Sequence, residues 1–154
     1  MPKRAEMLHH VKDAILAVPD LRVVREGIDG VDGAGKTVFG DELAHVLQAS
    51  GRTVLRAGVD SFHHPQSIRY RLRRHSPCGY FHDSYNYAQL KAVLFDPLSP
   101  GGSGWYRTAV FDHRSDLPVS QREMYAPTDA ILMFDGIFLH RHELRTCWNI
   151  SMFL

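Results

Sequence analysis

The stretch "GVDGAGKT" places Gly30, Gly35, Lys36 and Thr37 in the pattern G-x-x-x-x-G-K-[ST]. Glycines allow successive backbone N–H groups to turn inward on phosphate oxygens, a lysine adds a point charge at the outer phosphates, and a hydroxyl can reach Mg2+. Asp32, Gly33 and Ala34 complete the cradle. The expected ligand is a nucleoside triphosphate, ATP, carried with Mg2+. Its metal also needs a carboxylate, and "ILMFD" supplies one, four apolar residues ending in Asp135. Thr37 and Asp135 are therefore the candidate metal ligands, with helix capping as the competing reading of Asp135. A second acid, Asp60, closes the stretch "TVLRAGVD". A carboxylate facing the γ-phosphate can orient an alcohol and take its proton for in-line attack, so Asp60 and Lys36 form the candidate catalytic pair. Turn capping is the alternative for Asp60.

These residues need elements to bring them together. Met7, Leu8, Val11, Ile15 and Leu16 recur at helical spacing and predict an amphipathic helix over residues 5–18, closed by Pro19. "RVVREGID" reads as a first strand running into the glycine loop. From Lys36, residues Val38, Phe39, Leu43, Val46 and Leu47 mark one face of a helix that Gly51 caps. "TVLRAGVD" is a second strand, and the strand-helix-strand spacing is that of a right-handed βαβ unit with a parallel sheet. Ligands of parallel sheets lie at the carboxyl ends of strands, so Lys36, Asp60 and Asp135 are expected on one edge. Farther on, "SYNYAQLKAVLFDPL" reads as helix up to Pro97, "SPGGSG" as a loop and "TAVFD" as a short strand. "DAILMFDG" has the continuous apolar run of a strand buried on both faces, ended by Gly136. A short helix around His142 to Cys147 leads to a last apolar strand, "NISMFL". The expected fold is α/β, a three-layer P-loop NTPase domain with helices on both faces of a parallel sheet, whose strands lie near residues 23–29, 53–59, 130–135 and 149–154. A single domain spans 1–154, with the N-terminal helix in 1–20 and the nucleotide-binding core in 21–154.

Composition bounds what such a domain can do. The 154 residues are 44% hydrophobic and 23% charged, an ordinary globular balance. Eighteen basic against seventeen acidic residues leave a formal charge of +1, no global field for nucleic acid or an anionic membrane, so any anion must be held locally. Cys78 and Cys147 lie far apart with no C-x-x-C pair, which argues against a disulfide framework and for a reducing, cytoplasmic setting. No segment has a signal-peptide pattern or the length of a membrane helix. His63 with His64, and His140 with His142, are closely spaced, but no Cys or acidic pair completes a tetrahedral metal set. The run Arg69, Arg71, Arg73 and Arg74 reads as an exposed helical face, ahead of contact with a phosphorylated substrate or RNA.

With the glycine loop and Asp135 in place, the run "VDSFHHP" resembles the uridine kinase branch of P-loop kinases, whose relatives include phosphoribulokinase and pantothenate kinase. The resemblance covers about Arg22 to Leu154. It implies that Asp60, in Asp60-Ser61-Phe62, takes the proton from the substrate hydroxyl, and that the γ-phosphate passes to the 5′-hydroxyl of a pyrimidine nucleoside. It places Asp83 on sugar hydroxyls, Tyr80, Phe81 or Tyr85 against a base, and Phe111 and Asp112 of "VFDHRSD" in a segment covering the substrate. His63 stands where the family has a pocket aromatic, Asp116 where it has a histidine, and Asp135 where nucleoside kinases often carry Glu. The family continues past the last strand into a lid bearing arginines, so a C-terminally incomplete core is expected, one that binds nucleotide and transfers phosphate slowly. The expected partner is a small-molecule alcohol, with no nucleic acid and no membrane, and a homo-oligomer is left open. Among rivals, a thymidylate kinase would pair its strand-end Asp with an Arg that "DSFHHP" lacks. A transporter-type ATPase is disfavoured by Pro100 in "LSPGGSG", and a GTPase by the lack of N-K-x-D. A module that binds ATP without turnover is the reading from another class.

Overall fold

In the computed structural model, which describes residues 3–19 and 23–154, regular elements follow in the order α1 (Arg4–Leu16), β1 (Val24–Asp29), α2 (Lys36–Ala49) and β2 (Val54–Gly58). A 3-10 turn (Val59–Phe62) leads to α3 (Gln66–Arg69), α4 (Pro77–Asp83) and α5 (Tyr87–Leu90), which runs through a π turn (Lys91–Phe95) into α6 (Asp96–Leu98). Four two-residue strands follow: β3 (Trp105–Tyr106), β4 (Phe111–Asp112), β5 (Leu117–Pro118) and β6 (Met124–Tyr125). The chain then forms β7 (Ile131–Asp135), a 3-10 turn (Arg145–Cys147) and β8 (Ile150–Phe153). Two compact units result, Met1–Arg56 with Ala126–Leu154, and Ala57–Tyr125.

The first unit is built on a sheet of order β2-β7-β1-β8. β1 runs parallel to both neighbours, with Val24 opposite Ile131, Ile28 opposite Asp135 and Glu26 opposite Ile150. The continuous apolar run of β7 makes it an inner strand, since Ile131, Leu132, Met133 and Phe134 are all fully buried. It inserts between β1 and β2, so the two strands of the expected βαβ unit share a sheet without touching. Leu8 and Ile15 of α1 and Phe39, Leu43 and Leu47 of α2 pack on Val24, Ile28, Ile131 and Met133. Each fully buried large apolar side chain contributes roughly 1.5–3 kcal/mol of transfer free energy. Alternation sends Phe134 to the opposite face, where the Trp148 ring lies 5.7 Å away. Val38, expected on the apolar face of α2, is exposed, because it sits one step round the helix from Phe39.

The second unit holds α3 to α6 and two antiparallel ribbons, β3 with β6 and β4 with β5. Phe62, Leu90, Leu94, Phe95 and Leu98 form its interior. Pro97 does not end the helical run, which continues to Leu98. Proline cannot donate to the carbonyl four residues back, and here the Arg107 N–H takes that place on Val93 O at 2.9 Å. The arginine run is not a helical face: α3 stops at Arg69, and Arg73 turns the chain with a left-handed φ of 78°. The helix expected near His142 is the 3-10 turn Arg145–Cys147, and the second strand ends at Gly58 with Asp60 already in the following turn. Arg22, at the head of the expected first strand, lies outside the described residues. Among the described residues no helix is long and apolar enough to cross a membrane.

Candidate functional site

In the first unit, β1 delivers the chain to the glycine loop through Asp29. Its buried carboxylate accepts the Gly30 N–H at 2.8 Å with one oxygen and the His140 N–H at 2.9 Å with the other. The first loop residue is thereby tied to the segment after β7. At the far end Gly35 caps α2 in the left-handed region, φ 83°, a conformation that costs roughly 1–2 kcal/mol with a Cβ. Gly35 brings no capping side chain, so the first-turn N–H groups of α2 are left for an external acceptor such as an anion. Lys36 folds back over the loop, its Nζ donating to the carbonyls of Gly30 at 2.8 Å and Val31 at 2.7 Å. Asp32, Gly33 and Ala34 are exposed around it.

Thr37 Oγ1 donates to Asp135 Oδ2 at 2.9 Å, bringing the two candidate metal ligands together. The register that sets Ile28 opposite Asp135 accounts for this, since it levels the end of β7 with the start of the loop. A hydroxyl beside a carboxylate is the oxygen-donor set that suits Mg2+ with phosphates and water filling the other positions. Sequence reasoning missed Arg56. Its Nη2 lies 3.1 Å from Asp135 Oδ1 and 3.1 Å from Asp41 Oδ1, and its Nη1 donates to Met133 O at 3.2 Å. Its path crosses α2 at Gly40, where a Cβ would stand 2.9 Å from Nη2. The available signal was a lone arginine in an apolar strand followed by a glycine inside an apolar helix.

In the second unit, Asp60 is exposed in the turn after β2, and its carbonyl accepts the His63 Nδ1–H at 2.8 Å. The His63 ring lies 4.6 Å from that of buried Tyr85 and 4.4 Å from that of His113. Burial, helped by His113 and Arg69, holds the His63 pKa below the usual histidine value, although the bond to Asp60 opposes it. Asp83 is buried and bidentate with Arg71, Oδ2 to Nε at 2.8 Å and Oδ1 to Nη2 at 2.7 Å. The Arg71 hydrogen bonds hold its carboxyl below the usual range. Asp112 caps its own hairpin turn, accepting Arg114 N–H at 3.0 Å and Ser115 Oγ–H at 2.8 Å, which likewise lowers its pKa. Asp116 accepts Gln66 N–H at 2.9 Å and pairs with Arg69 at 3.4 Å. Phe111 is buried in β4, next to Val110, whose N–H donates to Ser61 O at 3.0 Å. Tyr80 is exposed, and Phe81 meets His82 edge-on at 4.9 Å. His63 and Tyr85 thus gather beside the Asp60 turn, whereas the carboxylates of Asp83 and Asp112 are taken up by Arg71 and by a turn. The pairing of Arg71 with Asp83 and the contact of His113 with His63 were not anticipated.

No family model and no curated protein matches the chain. Among solved structures, a possible uridine kinase from Bacillus stearothermophilus superposes with a TM-score of 0.83 at 24% identity, over 97% of this chain and 79% of its own. A candidate fructose transport system kinase from Silicibacter sp. TM1040 gives a TM-score of 0.73 at 16% identity, over 99% of this chain and 74% of its own. The likeness is one of fold, and the fold is the α/β arrangement of uridine kinase-like and related P-loop kinases, a parallel sheet with helices against it.

Proposed function

We propose that the chain binds ATP with Mg2+ and transfers the γ-phosphate to a hydroxyl of a small metabolite. The observation that carries this reading is the 2.9 Å hydrogen bond joining Thr37 to Asp135 directly beside a lysine folded onto its own loop. Thr37 and Asp135 would hold the metal, which when bound neutralises charge across the β- and γ-phosphates. The loop and the first turn of α2 receive the phosphates, and Lys36 exchanges two loop carbonyls for phosphate oxygens. Asp60 takes the acceptor proton as the acceptor oxygen bonds to the γ-phosphorus, the bond to the bridging oxygen breaks and ADP leaves. The resemblance offers the 5′-hydroxyl of a pyrimidine nucleoside as acceptor, and the kinase fold of the neighbours supports the reaction class. Cys78 and Cys147 as reduced thiols suit a reducing cytoplasm.

Asp60→Asn tests the reading. It keeps the side chain's shape and removes its basicity, so ATP affinity is expected to stay within about twofold while transfer falls by roughly 10² to 10⁴. Loose phosphoryl transition states put the loss toward the lower end. Full transfer in the variant would return Asp60 to turn capping, and ATP binding without transfer to any alcohol in the parent chain would make it a binding module.

A further inference from the structure

The second unit contains a cavity of about 240 Å³ whose wall includes Arg69, Arg74, His63, His75, Tyr70 and Tyr80. From its lining we infer that the acceptor is anionic, a small alcohol whose phosphate or carboxylate end sits in this cavity; the inference rests on the phosphotransferase reading and narrows its substrate.

The charge balance of the wall carries the argument. No carboxylate lines the cavity, and two guanidinium groups flank one ring, Arg69 5.1 Å and Arg74 5.7 Å from the centre of Tyr70. Cations gathered in this way repel each other unless an anion joins them. Asp116 reaches Arg69 at only 3.4 Å, and Arg74 makes no ion pair among the described residues. Arg69 is also fixed in place, with 9% of its side chain exposed and its Nε donating to His64 O at 2.7 Å. A guanidinium so held presents its remaining donors in a fixed fork, the geometry that recognises phosphate and carboxylate.

The cavity adjoins the turn of the proposed base, because His63 belongs to its wall and donates to the carbonyl of Asp60 at 2.8 Å. An alcohol anchored by its charged end would be held a few bonds from the base. A volume of about 240 Å³ is below the usual range for a drug-sized ligand and suits a short, compact one. An uncharged nucleoside is less well served, since Asp83, the carboxylate available for sugar hydroxyls, already has both oxygens on Arg71. The arginine run of the sequence thus divides into a half-buried anchor (Arg69), a partner for Asp83 (Arg71), a turn residue (Arg73) and a cation at the cavity with no ion pair among the described residues (Arg74).

The test compares ribose 5-phosphate, glycerate and uridine with the full chain, by thermal shift and by ADP formation with MgATP, in the parent and in Arg74→Gln. Arg69 is too embedded for a clean variant, whereas Arg74 is exposed. The expected result is that ribose 5-phosphate, glycerate or both raise the Tm and accept phosphate, and uridine does neither. The phosphate and carboxylate arms separate the two anion classes. Arg74→Gln should raise the KM of the anionic acceptor roughly tenfold or more, the worth of a charge-assisted hydrogen bond, while the KM for ATP stays within about twofold. Uridine turned over equally well by parent and variant would overturn the inference and leave the kinase reading standing. Anion binding that is lost in Arg74→Gln, without transfer to any of the three alcohols, would uphold the anion site and overturn the kinase reading. No stabilisation by either anion would overturn the inference.

Discussion

Arg56 sets how Asp135, the proposed metal carboxylate, is held. Its guanidinium spans Asp135, Asp41 and the Met133 carbonyl, so it holds one carboxylate oxygen of Asp135 that the proposed Mg2+ would otherwise reach. Breaking a fully buried charge pair costs about 3–5 kcal/mol, but Asp41 is 59% exposed and water reaches this pair, which places the effect lower. Arg56→Gln is expected to destabilise by about 1–3 kcal/mol in urea unfolding, and to lower the Mg2+ concentration that half-saturates ATP turnover by several-fold. Unchanged values of both would reduce Arg56 to a surface charge. The motif residues Lys36, Thr37 and Asp135 were legible because their spacing encodes their contact with a common ligand. Arg56 was not, since in an alternating strand one polar side chain reads as a solvated face, and Gly40, which admits it, reads as a helix-weakening residue.

Strand β1 carries a cost inside the sheet. Glu26 is fully buried on the face packed by α1 and α2, opposite Met133, and neither carboxylate oxygen has a hydrogen-bond partner among the described residues. Burial pushes its pKa up from 4.5 to about 8, against the opposing pull of Arg56, so the folded protein holds a neutral carboxylic acid at pH 7. A folded-state pKa above the unfolded value means that the unfolded chain ionises first. The contribution of Glu26 to stability is therefore greatest below about pH 4.5 and declines as pH rises toward 8, by up to a few kcal/mol. Glu26→Gln should flatten this decline, adding roughly 1–3 kcal/mol at pH 8 and little at pH 5, as read from urea midpoints at the two pH values. Parallel profiles for parent and variant would show that Glu26 is ionised and solvated in the native state. Elements were legible where periodicity was strong, as in β7 and α2. They were not where one backbone contact decides, as at Pro97, whose position inside a helical run depends on Arg107, just after β3, supplying the missing donor to Val93.

The whole chain shows the same division. The proposed nucleotide side of the fold is written in short patterns, a loop of eight residues and a strand ending in Asp, and it lies in one unit around one sheet. The proposed acceptor side depends on pairings between segments, such as Arg69 with Asp116 and His63 with His113, which no local spacing announces. On the proposed reading a triphosphate would bind the folded loop and not the unfolded chain, so MgATP should stabilise the protein by mass action, about 2.7 kcal/mol at a hundred times its Kd. For a chain of this size each kcal/mol moves the Tm by about 2–4 °C, so a rise of roughly 5–11 °C is expected at saturating nucleotide. Lys36→Ala should remove most of that rise, since it deletes the cation at the outer phosphates. It should leave the Tm without nucleotide almost unchanged, because the hydrogen bonds Lys36 makes are to two carbonyls of its own partly exposed loop, Gly30 and Val31. A variant that keeps the full nucleotide shift would show that the phosphates bind elsewhere. One that melts several degrees lower without ligand would show that Lys36 is a clamp on the empty loop as well as a ligand for the filled one.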